Sequence, residues 1–163
     1  MFRKIVLLLL AILVIIQFFH PSRNKAAGAQ PNNIAAVHPV PANVKSVLDK
    51  ACMDCHSNNT VYPWYSKIQP VDWWLTHHIN EGKGELNFDE FALYNLRRQY
   101  HKLEEIGKTI KENEMPLDAY TWIHKEARLT EEEKTTLISW ADAIRTEMKA
   151  KYPVDSLERK KPR

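Results

Sequence analysis

The stretch Cys52-Met53-Asp54-Cys55-His56 constrains this chain more than any other, because it holds the only two cysteines among the 163 residues. Two thiols separated by two residues and followed by a histidine are typical of three chemistries. These are covalent attachment of haem, dithiol redox exchange and metal binding. Each chemistry needs a different structural context, so the rest of the sequence has to decide among them.

The N-terminus has the pattern of an export signal. Residues 5–19 are apolar apart from one glutamine, and Arg3 and Lys4 precede them. A helix over this run would be about 22 Å long at ~1.5 Å per residue, which fits either the core of a signal peptide or a short membrane anchor. Since the positive charges stay inside, the rest of the chain is predicted to lie on the periplasmic side of the inner membrane.

A small-x-small cleavage pattern occurs at residues 27–29, but it lies ten residues beyond the apolar run. We therefore predict an uncleaved signal anchor over residues 1–19, with export after cleavage as the alternative. Residues 20–42 are rich in proline, asparagine and alanine and are interpreted as a linker.

The remaining chain has the periodicity of helices. Apolar residues recur at intervals of three and four, strand-like alternation is scarce, and the whole chain has only four glycines. These features predict an all-α domain of four to five helices over residues 43–152, followed by a basic tail over residues 153–163. About 110 residues suffice for a small single domain.

Local signals predict where several helices begin and end. Asn43 is a candidate N-cap of the first helix of the domain. The helix over "VDWWLTHHIN" is expected to stop at Gly82 and Gly84. Asn87, with a glutamate three residues later, is expected to cap one long helix through residues 88–112, and a short helical segment follows over residues 117–125.

The last helix has the clearest boundaries. Thr130 and Glu133 form a capping-box pattern, and Pro153 is expected to end the helix. Met148 within this helix is interpreted as a packing residue.

The sequence neighbours of the aromatic and histidine side chains indicate whether each lies in the core or at the surface. Four tryptophans at helical positions are expected to lie mostly in the core: Trp73, Trp74, Trp122 and Trp140. Trp64, in "YPWYSKI", is expected to pack in a loop at the cofactor edge. His101 and His124 have charged neighbours and are expected to face solvent.

Covalent haem fits the context of the cysteine motif best. A dithiol redox site normally begins a helix after a strand, whereas here the motif is predicted to end a helix. A structural zinc site needs four ligands, and no second cysteine pair exists; His77 and His78 could complete a set only as adjacent residues on one helix. One haem c per chain is therefore expected, attached through Cys52 and Cys55, with His56 as an iron ligand.

Met115 is the predicted second iron ligand. It lies in "KENEMPLDAY", where Pro116 disfavours a helical conformation for the residue before it. A methionine in such a loop is poorly placed as ordinary core filler, and haem iron commonly takes methionine or histidine on its second side. His78 and His77 remain the alternative ligands.

The distribution of charge gives no indication of nucleic-acid binding. The net charge of +3 comes from basic residues near both termini, whereas residues 44–152 hold more acidic than basic side chains. The sequence also has no recognisable Ser-His-Asp arrangement, paired-carboxylate site or phosphate-binding loop. We therefore expect an electron carrier rather than an enzyme, with a redox protein and the membrane as partners and no nucleic acid.

Several blocks occur in one order over residues 40–145: "CMDCHSNNTVYPWYSKIQPVDWW", "HHINEGKGELNF", "RRQYHKLEEI" and "NEMPLDAYTWIHKEARLT", followed by "LISWAD". In these blocks the chain resembles the bacterial haem-binding domain family, small membrane-anchored monohaem proteins related to cytochrome c. The resemblance implies a cytochrome c-like helical domain around one covalent haem. It also implies attachment at Cys52 and Cys55, with His56 as the proximal ligand and Met115 as the distal ligand.

The predicted function is single-electron transfer in the periplasm by a covalently bound haem. One alternative is a haem-based sensor, or a protein that binds peroxide or a gas, with a labile distal ligand. Another is an exported thiol-disulfide oxidoreductase that uses the two cysteines directly.

Overall fold

The computed structural model describes residues 1–158, and this part of the chain is helical without a β-strand. Its α-helices are α1 (Phe2–Ile16), α2 (Ala42–Ala51), α3 (Met53–His56), α4 (Val71–Glu85), α5 (Leu96–Lys111), α6 (Asp118–Ile123), α7 (Glu131–Lys151) and α8 (Val154–Leu157). Short 3-10 helices lie at Ile34–Ala36, Trp64–Lys67, Phe88–Leu93 and Lys125–Ala127. The predicted all-α class is confirmed. The predicted number of helices was too low, because helices of four to six residues are shorter than a hydrophobic period can reveal.

The hydrophobic core lies where α5 packs against α7. Leu103, Ile106 and Ile110 face inward from α5, at the three- and four-residue spacing that puts them on one side of the helix. Leu137 and Ile144 meet them from α7, and α2 also packs against α7 as part of the same core. Burying each of these side chains contributes about 1.5–3 kcal/mol, so this helix pair supplies much of the stability of the domain.

The helix predicted over residues 88–112 is divided into two. Asn87 does act as a cap, but of the 3-10 helix Phe88–Leu93, where its side chain accepts a hydrogen bond from the backbone N–H of Asp89. A second cap, Asn95, begins α5 by accepting from the N–H of Arg98. The prediction of one continuous helix was therefore wrong, because two asparagines with the same capping chemistry lie eight residues apart.

Other helix boundaries were predicted with mixed success. The capping box of Thr130 and Glu133 is present at the start of α7, and α7 ends before Pro153 as expected. By contrast, Asn43 lies inside α2, whose N-cap is Pro41 without a side-chain hydrogen bond.

The prediction that α4 stops at Gly82 and Gly84 was also wrong, since α4 continues through both glycines to Glu85. Neither glycine of α4 has a positive φ, so neither residue is there to end the helix. Gly82 has a packing role instead, described with the site below.

The exposure of the tryptophans differs from the sequence expectation. Only Trp140 is buried, at 8% exposed, whereas Trp73 and Trp74 are 41% and 42% exposed. Trp64 and Trp122 are 74% and 80% exposed. The spacing of apolar residues on a helix shows that they share a face, but it does not show whether another element covers that face.

The N-terminal helix α1 has no buried residue. No helix within residues 1–158 is both long enough and apolar enough to qualify as a membrane span. Residues 20–42, interpreted as a linker, lie against the domain at several points; Ile34, for example, is 2% exposed and belongs to the hydrophobic core.

The predicted basic tail over residues 153–163 begins with a structured segment. α8 packs against α5, and its Leu157 is 2% exposed. Residues 159–163, which carry the basic cluster, lie outside the described residues.

Truncating a core leucine should cost far more stability than truncating an exposed one. Leu103 is completely buried, whereas Leu93 is 65% exposed. We expect Leu103→Ala to lower the free energy of unfolding by about 2–5 kcal/mol, since it leaves a cavity in the core, and Leu93→Ala by less than about 0.5 kcal/mol. Urea denaturation followed by circular dichroism measures both. Similar losses in the two variants would contradict the packing of α5 against α7.

Candidate functional site

The cysteine motif lies on a single helical turn between two longer helices. α2 ends at Ala51, and Cys52 breaks the helix with a φ of −126° before α3 begins. α3 then packs directly against α4. The prediction that the motif ends the preceding helix is therefore correct for Cys52, while Cys55 and His56 belong to the separate turn.

Gly82 permits the close approach of α3 to α4. A Cβ atom at this position would lie 2.9 Å from the backbone oxygen of Cys55 and 3.1 Å from its Cβ. The first distance is shorter than a Cβ atom tolerates and the second is tighter than most Cβ contacts, so any other residue here would push the motif away from α4. At Gly84, by contrast, an added Cβ would meet no atom within 4 Å. A glycine inside an otherwise helical pattern was the available sequence signal for this contact.

The His56 imidazole is held in one orientation by the backbone. Its Nδ1 lies 2.9 Å from the carbonyl oxygen of Leu86, just beyond the end of α4. A carbonyl only accepts hydrogen bonds, so Nδ1 carries the proton and Nε2 keeps its lone pair. The edge of the Phe88 ring packs against the imidazole, with centroids 6.3 Å apart. Burial lowers the pKa of His56. The residue is therefore a neutral imidazole with Nε2 prepared for a metal, the arrangement common among metal-ligating histidines.

The two thiols do not form a disulfide and lie in a desolvating environment. Burial raises the pKa of Cys52 to about 12 and that of Cys55 to about 11, and neighbouring negative charge on Cys55 and Asp54 adds to the respective shifts. Catalytic dithiols show the opposite behaviour, because a lowered pKa is what makes their thiolate available. The environment of the motif therefore does not favour the thiol oxidoreductase alternative.

Asp54, between the two cysteines, ties the motif to later parts of the chain. One carboxylate oxygen accepts from the backbone N–H of Val61 at 2.9 Å, and the other accepts from the Tyr120 hydroxyl at 2.8 Å. Its backbone oxygen accepts from the Thr60 hydroxyl at 2.6 Å. Burial and the bond to Asp54 raise the pKa of Tyr120. The α6 helix is thereby attached to the motif turn, a role that nothing in the sequence spacing revealed.

The four predicted site residues line one cavity of about 290 Å³. They are Cys52, Cys55, His56 and Met115. A second cavity, of about 350 Å³, shares three of these residues and lies against α5. Cavities of this size are at the lower end of the range for small-molecule and cofactor sites. The fold therefore brings together side chains that are distant in sequence, with Cys52 and Met115 63 positions apart.

Met115 occupies the loop between α5 and α6, as expected, and it lines both cavities. Of the alternative ligands, His78 lines only the first cavity, where its side chain is 28% exposed and its ring contacts Trp74 edge-on. The His77 side chain is 66% exposed and does not line either cavity. Position favours Met115 over both histidines.

A second hydrogen-bonded group lies beside the motif and was missed from the sequence. The Tyr65 hydroxyl lies 2.7 Å from Nε2 of His124, and the other ring nitrogen of His124 lies 3.1 Å from the Glu126 carboxylate. The Tyr120 ring stacks on His124 with centroids 4.4 Å apart, and Tyr65 packs near Cys55. The expectation that His124 faces solvent was wrong, while His101 is exposed as expected.

The donor set fits a covalently attached haem better than zinc. Two thiols on one turn, an imidazole with a free Nε2 beside them and a thioether in the facing loop are the groups that c-type attachment and axial ligation use. Within residues 1–158, no three His, Cys, Asp or Glu side chains come together as a metal-ion cluster, which a zinc site requires.

Adding one methyl group to α4 should have opposite effects at its two glycines. Gly82→Ala forces the Cys55 backbone outward, so we expect a loss of about 1–3 kcal/mol in the free energy of unfolding. Gly84→Ala has free space and removes a poor helix former, so a gain of about 0.5–1 kcal/mol is expected. Thermal or urea denaturation of both variants measures this. A Gly82→Ala protein as stable as Gly84→Ala would show that α3 does not depend on the close contact.

The raised thiol pKa values should appear in the alkylation rate of the folded, haem-free protein. At pH 8, a thiol with a pKa of about 11 has roughly 100-fold less thiolate than one at the ordinary 9.0, because each pKa unit is a factor of ten. Iodoacetamide should therefore react slowly with Cys52 and Cys55 until urea unfolds the chain.

The same shift predicts how stability depends on pH. Above pH 9.0 the thiols of the unfolded chain lose protons while those of the folded chain keep them, so the free energy of unfolding should fall as the pH rises from about 9 towards 11. Replacing both cysteines by alanine is the control and should reduce this slope. Equal alkylation rates in the folded and unfolded protein would contradict the raised pKa values of the two thiols.

Comparison with known proteins gives one match. The model of the family described as "Haem-binding domain" matches residues 11–143, which is most of the chain and contains the whole site. No curated protein and no solved structure matches the chain significantly. The match includes the motif turn, both helices that hold it and the loop of Met115. This chain therefore belongs to the haem-binding domain family.

Proposed function

We propose that the protein carries single electrons by means of one haem c. Cys52 and Cys55 would hold the haem through thioether bonds, His56 would be its proximal iron ligand and Met115 its distal ligand. The observation that carries this proposal is that all four side chains line one cavity in a chain that belongs to a haem-binding family. When bound, the haem supplies an iron whose oxidation state changes by one electron.

The residues around the cavity suit a carrier of electrons. The hydrogen bond from Nδ1 of His56 to the Leu86 carbonyl fixes the imidazole plane and increases the basicity of Nε2. Ile110, Leu117 and Leu129 contribute apolar walls to the cavity. His56 and Met115 would together hold the iron from its two sides, and a methionine ligand would raise the reduction potential. A site without a free position favours electron transfer over binding of peroxide or a gas.

The proposed location is the periplasmic side of the inner membrane, with α1 retained as a short anchor. Its 15 residues do not reach across a full bilayer, so the basic residues before it and local thinning of the bilayer would make up the difference. Arg3 and Lys4 precede the apolar helix, which favours an N-terminus left inside. Cleavage at residues 27–29 would remove His20 and Arg23, both of which pair with the completely buried carboxylate of Asp72. Leaving a buried carboxylate without its partners is strongly unfavourable, so this pairing supports retention over cleavage. Electrons would be exchanged with a redox partner protein in the same compartment.

The proposal is tested by producing the protein together with the haem-attachment machinery. We expect haem stain to remain on the chain in a denaturing gel and to be lost when Cys52 and Cys55 are both replaced by alanine. The oxidised protein should show the weak long-wavelength absorption band of methionine-ligated iron, and the reduced protein should not bind carbon monoxide. A colourless protein under these conditions would contradict the proposal and leave the thiol oxidoreductase alternative.

Single substitutions distinguish the candidate distal ligands. We expect Met115→Ala to abolish the methionine-to-iron band, to lower the reduction potential and to allow stoichiometric binding of carbon monoxide. His78→Ala should retain the band because His78 lines only one of the two cavities, and His77→Ala is the exposed matched control. If His78→Ala opened the iron and Met115→Ala did not, the ligand would be His78. If the unmodified protein bound carbon monoxide freely, the sensor or gas-binding alternative would replace electron transfer.

A further inference from the structure

The chain leaves α1 through a joint built around a buried carboxylate. Asp72, in the first turn of α4, is completely buried, and its two carboxylate oxygens are each 2.9 Å from a basic group, Nδ1 of His20 and the guanidinium of Arg23. Arg23 also donates to the backbone oxygen of Ser66 at 2.8 Å. These contacts join the segment that follows α1 to the beginning of α4.

Neutral hydrogen bonds reinforce the same joint. The Gln17 side chain accepts from the backbone N–H of Gln69 at 2.9 Å and donates to its carbonyl at 3.2 Å. The backbone oxygen of Phe19 accepts from the Gln69 side chain at 2.9 Å and from the Trp73 indole at 2.8 Å. The direction in which the chain leaves α1 is therefore fixed relative to the domain, and Trp73 lies directly beside the end of α1.

Large apolar side chains are exposed around this joint. We refer to them as the aromatic rim: Phe18, Phe19, Ile68, Val71 and Trp73, which are 80%, 63%, 45%, 36% and 41% exposed, respectively. Scattered exposed apolar residues are ordinary, but here five lie on two segments that are hydrogen-bonded to each other, through Phe19 and Trp73 among others, and such a concentration marks an interaction surface. The rim continues along the chain into α1, whose apolar side chains are exposed from Phe2 to Ile15.

The charges near the rim are positive. The two segments that form it, residues 17–25 and 64–74, carry Lys25 and Lys67 on the surface, whereas the charge of Arg23 is paired with Asp72. Their only acidic residue is Asp72, which is buried and paired. No exposed carboxylate in these segments would therefore repel an anionic surface.

We propose that the aromatic rim lies in the headgroup region of the phospholipid bilayer that holds α1, so that the domain sits on the membrane in one orientation. This inference depends on the anchor described under the proposed function. Tryptophan is enriched at membrane interfaces because its apolar ring and polar N–H suit the boundary, and basic residues are attracted to anionic headgroups. Direct continuity with the apolar helix favours lipid over a protein as the occupant of this surface.

Fluorine NMR of the full, haem-loaded and reduced chain in lipid nanodiscs tests the proposal. All tryptophans are replaced by fluorotryptophan, and the nanodiscs contain phosphatidylethanolamine and phosphatidylglycerol. A soluble gadolinium chelate relaxes indoles in water, while a nitroxide attached near the glycerol end of a lipid chain relaxes indoles in the interface. Trp122 lies on α6, is 80% exposed and serves as the internal control. Trp73→Phe and Trp122→Phe identify the two signals.

We expect the lipid nitroxide to relax Trp73 at least ~3-fold faster than Trp122, and the soluble chelate to show the reverse order. The proposal is overturned if the chelate relaxes Trp73 as fast as Trp122 and the lipid nitroxide affects neither. Asp72→Asn tests the joint: it should reduce the difference between the two tryptophans while α1 remains in the disc. Asp142→Asn, a change at an exposed carboxylate, should leave the difference intact. If Asp72→Asn also left it intact, the joint would not be what orients the domain.

The same sample separates this inference from the proposed function. A chain with covalent haem that stays in the nanodisc but exposes Trp73 to water overturns the rim proposal alone. A haem-loaded chain that does not remain with the nanodiscs overturns the anchor and with it the rim. A nanodisc-bound chain without covalent haem, in which Trp73 still reports lipid contact, supports the rim while contradicting the cofactor assignment.

Discussion

The contact between the motif turn and α4 is the constraint on which the site depends. α3 is only four residues long, so it has no stability of its own and takes its position from the helix beneath it. Gly82 lets the two backbones meet, and the Leu86 carbonyl just beyond the end of α4 then lies within hydrogen-bond distance of His56. One helix therefore sets both where the thiols lie and how the imidazole is turned.

The hydrogen bonds that hold Asp54, in the middle of the motif, come from residues that follow it in the chain. Thr60 and Val61 hold Asp54 from the next loop, and Tyr120 holds it from α6. The loop carrying Met115 lies immediately before α6, so the bond between Tyr120 and Asp54 also draws that loop towards the motif. Local order at the site thus comes from a few polar contacts, whereas most of the stability of the domain comes from the apolar packing of α5 on α7, against which Cys52 and Met53 also pack.

The sequence was sufficient to predict the structure where the relevant signal is local. The capping box at Thr130 and Glu133 and the inward face of α5 follow from residues three and four apart, and the motif itself lies within five positions. The sequence was insufficient where residues distant in the chain determine the local structure. Asn87 begins only a 3-10 helix, and its position is held by hydrogen bonds of its side chain to Asn58 and of its backbone to the Tyr94 hydroxyl.

Long-range pairing accounts for the rest of what the sequence did not reveal. The partners of Asp72 lie 49 and 52 residues earlier, in a segment whose composition resembles a linker. A tyrosine that hydrogen-bonds His124 lies 59 residues before it, which is why that histidine was expected in solvent. Periodicity within one helix carries no information about such pairs, so the polar surroundings of the site could be read only from the fold.

The paired carboxylate of Asp72 also limits how far the domain can travel. A flexible tether of the length of residues 20–42 would let a domain move by roughly 25 Å around its anchor, at ~5–6 Å times the square root of the number of residues. Because His20 and Arg23 are bound to α4, most of that freedom is removed. With α1 in a bilayer, the cofactor cavity would stay at a set height above the lipid. Under the proposed function, the domain would then meet its redox partner by diffusion within the membrane plane. The partner would have to present its own redox centre at the same height above the lipid.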